Sequence, residues 1–194
     1  LASQDAAAKA QAAVTLAKTR RVLDQKQKDK NKIYSLHEPD VACISKGKAR
    51  QPYEFGCKAS FAITHKEGLI IGAQGLKGNP FDGHTLEGQI KQSEKLTGVK
   101  PKAVFVDKGY KGAKIEGVTI WRSGQKRGTT PRIRKMILRR SAIEPTIGHM
   151  KNDGKLGKNW LKGVLGDALN AVLCAAGHNL RMILKALRLF YALW

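Results

Sequence analysis

The sequence predicts a mixed α/β fold, a sheet flanked by helices, with a basic helical arm in front of it. Three observations carry this reading. Two runs of β-type alternation come first, a strand–helix alternation follows, and helical text with apolar faces closes the chain. Elements in that order bury their apolar faces by stacking a sheet against helices. The arm is assigned to residues 1–32 and the folded domain to residues 33–194.

Residues 1–31 are rich in Ala, Lys and Gln and hold neither Gly nor Pro, which favours helix, while Val14, Ala17, Arg21 and Val22 make only a weak face. Such a segment is either a solvated basic helix or a helix that lies on DNA. Residues 33–51 read as loop, with Glu38-Pro39-Asp40 and a basic run, Lys46, Lys48 and Arg50, spaced by small residues that let phosphate approach. The runs 53–65 and 69–76, separated by Lys66-Glu67-Gly68, predict one β-hairpin. Asn79-Pro80-Phe81-Asp82-Gly83 breaks the pattern, 85–96 reads as an amphipathic helix, and 103–106 is a short apolar strand between Pro101 and Asp107. A second short strand over 117–122 precedes the basic turn 125–128. Residues 132–151 read as mainly helical, Pro145 aside, and 168–193 as a long terminal helix or helix pair.

Charge decides the class of partner. Lys and Arg number 36 against 15 Asp and Glu, a formal charge of +21, and a protein this basic attracts polyanions, nucleic acid first. No membrane span is expected: the most apolar region, 168–194, is interrupted by His178, Asn179, Arg181, Lys185 and Arg188, whereas a span needs ~20 apolar residues in a row. Cys43, Cys57 and Cys174 are odd in number and lack metal-type spacing, which argues against a disulfide framework or zinc knuckle and for a reducing cytoplasm. The chain opens without a signal-peptide pattern, and it begins with Leu1 rather than Met, so a fragment is expected.

Acids are scarce enough that their placement is informative. Asp107 stands just past an apolar strand, where open α/β sheets expose ligands, and is a candidate metal ligand; the alternative is an aspartate capping the next turn. Glu144 has Arg140 four residues before it and Lys151 seven after, spacings that share one helical face. Pro145 shifts Glu144 toward a helix start or kink, and a surface salt bridge with Arg140 is the alternative role. One carboxylate at a strand end and one on a helix suit Mg²⁺, which takes a few carboxylate oxygens and leaves other positions to water and phosphate. His149 and His84 could approach DNA or metal, or be plain surface histidines. Trp121 and Trp160 could stack on bases or simply pack. Met136, Met150 and Met182 read as core fillers.

At these residues the chain resembles the catalytic domain of bacterial DDE-type insertion-sequence transposases, of the insertion-sequence-five group. The family's strand–Asp–x–Gly–Tyr pattern is matched by Val106-Asp107-Lys108-Gly109-Tyr110, and its Arg, three residues, Glu, six residues, Lys pattern by Arg140, Glu144 and Lys151. YEFGCKASF, GNPFDGHTL, IEPTIGHMKNDGKLGKNWLKG and GDALNAVLCAAGHNLR are also similar to this group's text, over about residues 33–185. The family's Tyr three residues before that Arg is absent, Ile137 standing in its place.

The resemblance implies a ribonuclease H-like fold in which three acids hold two Mg²⁺ ions, with Mn²⁺ as a substitute, for cutting and joining DNA strands. Asp107 and Glu144 would be two of the acids. Lys151 would contact DNA near the cleaved bond, and Arg140 would orient Glu144 and neutralise phosphate. His149, Lys46, Lys48 and Arg50 complete the expected DNA contacts. The partners implied are double-stranded DNA and transposon ends, bound by a homodimer at the bacterial nucleoid. The family's first acid ends the first strand, well upstream of the hairpin. Asp5, Asp24 and Asp29 stand in polar helical text, and Asp40 and Asp82 in loops, Asp82 reading as a turn or cap residue ahead of Thr85. The first strand and its acid are therefore expected upstream of Leu1, and the chain alone is expected to be inactive. A DNA-binding remnant without catalysis is the competing reading, and a ribosome-like basic protein a distant third.

Overall fold

The computed structural model describes residues 2–47, 49–50 and 52–192. The architecture is mixed α/β, with three two-stranded sheets and five helices among the described residues. The chain divides into two compact units, one of residues up to 57 with 77–79, the other of residues 58–76 with those from 80 on. The boundary expected near residue 32 falls inside the first unit.

In the first unit, α1 (Ala2–Asp24) is polar nearly all round and leaves Val14, Leu16 and Leu23 exposed. It stops short of the helical text because the following residues fold back on its end. The Gln25 amide donates to the Ile33 carbonyl (2.8 Å) and accepts from its N–H (3.0 Å), and Arg21 donates to the Asn31 carbonyl (2.6 Å). Ile33 is buried there. Strands β1 (Ala42–Ser45) and β2 (Tyr53–Gly56) pair antiparallel, Cys43 opposite Phe55.

The expected hairpin of 53–65 with 69–76 is thus half right. The first run is cut at Cys57: its beginning pairs back onto β1, and its remainder, β3 (Lys58–Ile63), pairs antiparallel with β4 (Ile70–Leu76). Alternation fixes which way side chains point but not which neighbour a strand selects, so the cut leaves no mark on the pattern.

The second unit continues with α2 (Asp82–Thr97), β5 (Ala103–Val106), β6 (Thr119–Arg122), α3 (Pro131–Arg139), α4 (Ile143–Asn152) and α5 (Gly163–Ala192). Asp82, read as a loop residue, lies in the first turn of α2. Strands β5 and β6 pair in parallel. The Thr130 hydroxyl caps α3 by accepting from Ile133 N–H (3.3 Å), and Pro131 opens the helix where no N–H is needed. A tight 3-10 turn at Arg140–Ala142 separates α3 from α4, and Pro145 falls in the first turn of α4, where it removes no helical hydrogen bond. Glu144 accordingly sits at a helix start.

Successive strand residues point to opposite faces, and β4 uses this to hold a helix on each. Gln74 donates to the Gly88 carbonyl of α2 (3.1 Å). Its neighbour Gly75 faces α5, and a Cβ there would come within 2.8 Å of the Ala168 backbone, so only glycine permits this approach. The side chain of Asn179 on α5 clasps the start of β4, accepting from Ile70 N–H (2.8 Å) and donating to its carbonyl (2.7 Å). One core joins Ile70, Ala73, Cys174 and Ala175 around Met150, which is 0% exposed. A second joins Leu86 and Ile90 of α2 to Val106 and Val118. Leu173, Leu180, Leu184 and Leu187 on α5 remain exposed. Among the described residues no helix is long and apolar enough to cross a membrane.

Candidate functional site

Asp107 follows the last residue of β5 with an extended backbone, and its Oδ1 accepts from Lys108 N–H at 2.6 Å, capping the 3-10 turn Lys108–Tyr110. The capping role is therefore real, and it leaves the carboxylate at the strand end, 59% exposed. Glu144, in the first turn of α4, is 73% exposed. Between them lies Arg140, whose side chain is only 14% exposed: Nη2 is 4.0 Å from Asp107 Oδ1 and 3.4 Å from Glu144 Oε1. One guanidinium nitrogen thus faces both acids, and residues 33 positions before and four positions after Arg140 converge on it. Exposed ion pairs hold little energy, typically ~0–1 kcal/mol, so the arrangement matters for placing charge more than for stability.

The other expected residues divide. Lys151 is exposed on α4, one face with Glu144. His149 contacts Asp153 through Nδ1 at 3.0 Å, away from the two acids in partner if not in helix. Lys46 and Arg50 belong to the first unit, where Lys46 pairs with Glu54 at 2.9 Å. Lys48 lies outside the described residues. The His84 ring meets Phe81 edge-on at 5.4 Å. Trp160 is exposed and Trp121 half-buried on β6.

Several contacts near the pair have no local signature. Asp82 pairs with Lys58 at 2.6 Å, and its Oδ2 fills the space a Cβ on Gly109 would need, which is why the turn after Asp107 carries glycine. The Tyr110 phenol is held above its ordinary pKa, by burial first and by the Asp82 charge next, and the hydroxyls of Thr85 and Ser60 hydrogen-bond to it. Arg139 donates to the carbonyls of His65 (2.8 Å) and Lys66 (2.9 Å), tying the end of α3 to the β3–β4 turn. These contacts join residues far apart in sequence, and no local pattern pairs them.

No protein-family model, curated protein or solved structure matches the chain. The chemistry of the site rests on its own residues. Among the described residues no three of His, Cys, Asp and Glu gather as a metal would need. Asp107 and Glu144 nonetheless fit a hard cation such as Mg²⁺, which is commonly bound through one or two carboxylates with phosphate oxygens and water completing the shell. Arg140 beside them suits a phosphate or a carboxylate.

Proposed function

We propose that the chain is the catalytic part of a DDE-type transposase of a bacterial insertion sequence, cleaving and joining DNA strands. The observation that carries this reading is the meeting of Asp107 and Glu144 at one guanidinium, with Arg140 and Lys151 at the spacing the resemblance requires. A mixed α/β architecture, with the antiparallel β3–β4 pair holding a helix on each face and a separate parallel pair β5–β6, is the frame in which the finer, ribonuclease H-like arrangement is proposed.

Bound Mg²⁺, or Mn²⁺ in its place, supplies a Lewis acid that activates a water or 3′-hydroxyl and stabilises the leaving oxygen. The chain's residues provide the rest. Asp107 and Glu144 bind the cation through oxygen. Arg140, within 4.0 Å of both carboxylates, orients Glu144 and neutralises the phosphate. Lys151 and His149, on the exposed side of α4, meet the DNA backbone, and the first unit adds Lys46, Lys48 and Arg50. A homodimer on paired transposon ends, at the nucleoid in the bacterial cytoplasm, is the proposed working form.

The test is nicking and joining of supercoiled DNA by the protein expressed from its complete reading frame, in Mg²⁺ and in Mn²⁺. D107N and E144Q should each lower the rate by about 10²-fold or more, since positioning and charge neutralisation are the catalysis, while leaving DNA binding in place. Unchanged cleavage in D107N would remove the assignment. A second reading, DNA binding without cleavage, is favoured by the lack of a third acid at the pair among the described residues. Its sign is salt-sensitive DNA affinity with no metal-dependent cleavage.

A further inference from the structure

Residues 153–162 join α4 to α5 and carry a side chain that the chemistry at Asp107 and Glu144 leaves without a role. Trp160 is 73% exposed. Single exposed apolar residues are ordinary, so exposure alone decides nothing. What distinguishes Trp160 is how firmly the chain around it is held. Leu156 packs against the core around Met150, and its N–H donates to the Met150 carbonyl (2.9 Å). Lys158 N–H donates to the Lys155 carbonyl (2.9 Å), which closes a turn. Asn159 donates through Nδ2 to Asp167 Oδ1 on α5 (2.8 Å), while its Oδ1 accepts from Leu161 N–H (2.9 Å). The Leu161 backbone lies so close to α5 that a Cβ on Gly166 would come within 2.7 Å of the Leu161 carbonyl carbon. The residues on both sides of Trp160 are thus fastened to α5, and the indole stands out from a fixed stem.

The charges around it have one sign. Lys155, Lys158 and Lys162 are exposed, and none of them pairs with an acid among the described residues. The two acids between residues 150 and 170 are both engaged, Asp153 by His149 Nδ1 at 3.0 Å and Asp167 by Asn159. An aromatic face among uncompensated cations is a poor seat for an apolar protein partner, which would strip water from the ammonium groups without replacing it. It is a good seat for a polyanion that also offers a flat apolar group. α4 carries Glu144 in its first turn and this loop at its other end, roughly 12 Å away along the helix axis. One DNA strand can reach both.

We propose that Trp160, with Lys155, Lys158 and Lys162, forms a subsite for one unpaired DNA base, the indole stacked on the base and the ammonium groups on the flanking phosphates. Inside a duplex both faces of a base are already stacked, so an indole finds a free face only where a base is unpaired or displaced. Every base has such a face, which makes the contact tolerant of sequence. Lysine holds phosphate as a point charge on a flexible stem, which suits a strand without fixed geometry. The subsite rests on the reading of the chain as DNA-binding, not on cleavage.

The test measures, by fluorescence anisotropy, binding of the whole chain to three labelled DNAs: an oligothymidylate, an abasic strand of equal length and a blunt duplex. The abasic strand keeps the phosphates and lacks the bases. The natural chain should bind the oligothymidylate at least about fivefold more tightly than the abasic strand, the lower end of what one stacked base supplies. W160A should erase that preference, W160F should keep most of it, and neither should alter duplex affinity. K155Q, K158Q and K162Q combined should weaken binding to all three DNAs, and unchanged affinity there would remove the lysines from the subsite. Equal binding of the two single strands by the natural chain, or a preference that survives W160A, would overturn the proposal while duplex binding keeps the DNA reading intact. A fall in duplex affinity with W160A would also overturn it, by making Trp160 a duplex contact. Failure to bind any of the three DNAs would overturn both readings.

Discussion

Asp107 carries two duties through one carboxylate, a cap on the turn that follows β5 and a negative charge facing Arg140, and substitution separates them. Asparagine keeps an oxygen that accepts from Lys108 N–H but loses the charge. Alanine loses both, and a lost cap costs about 1 kcal/mol. D107A should therefore unfold in less urea than D107N, while both lose metal-dependent cleavage alike; equal unfolding midpoints would show that the cap contributes nothing. His65 offers a pH-dependent counterpart. Burial, then the neighbouring Arg139 charge, holds its imidazole below the ordinary value of 6.5. Its neutral form belongs to the folded state, so the stability it contributes is present above pH 6.5 and is lost as pH falls through the lowered value. Between pH 7.5 and 5 the melting temperature of H65Q should fall less than that of the natural chain, by scanning calorimetry.

Elements depend on contacts that sequence patterns do not contain. The Asn179 clasp makes the point, because a side chain on α5 completes the first residue of β4 from 109 positions away. N179A leaves the N–H and carbonyl of the buried Ile70 without these partners, and should cost about 1–3 kcal/mol in chemical denaturation. Where local chemistry decides, the sequence is legible. β5 was expected at 103–106 and is found there, since an apolar run between Pro101 and Asp107 has only one way to form a strand. The Thr130-Pro131 start of α3 and the interruption near Glu144 follow from cap and proline rules. Long-range choice is not legible: the cut at Cys57, the Asp82 carboxylate against Gly109, and the grip of Arg139 on the hairpin turn each depend on which elements meet. The convergence of Asp107 with Glu144 was reachable only through the spacing of a resemblance, not through periodicity.

For the molecule as a whole the dominant quantity is charge. A +21 chain that neutralises DNA phosphates releases their counterions, so affinity falls with salt in proportion to the phosphates contacted. With six to ten such contacts, roughly the number these cations could make, affinity should drop about 10³- to 10⁵-fold between 50 and 200 mM salt. A slope near zero in a filter-binding titration would remove nucleic acid as the partner.

The dependence of β4 on α5 also sets an order of events in time. A ribosome delivers the β3–β4 hairpin about a hundred residues before Asn179, and the face of β4 that holds Gly75 waits bare for Ala168. Closing so long a loop is an entropic step that local structure cannot hasten. The hairpin therefore spends most of translation with an uncovered apolar surface, the condition under which nascent chains recruit chaperones or stick to one another. Ribosomes stalled just before α5 should carry chains that proteases cut in β4, and ribosomes stalled after a linker long enough to carry α5 clear of the exit tunnel should not.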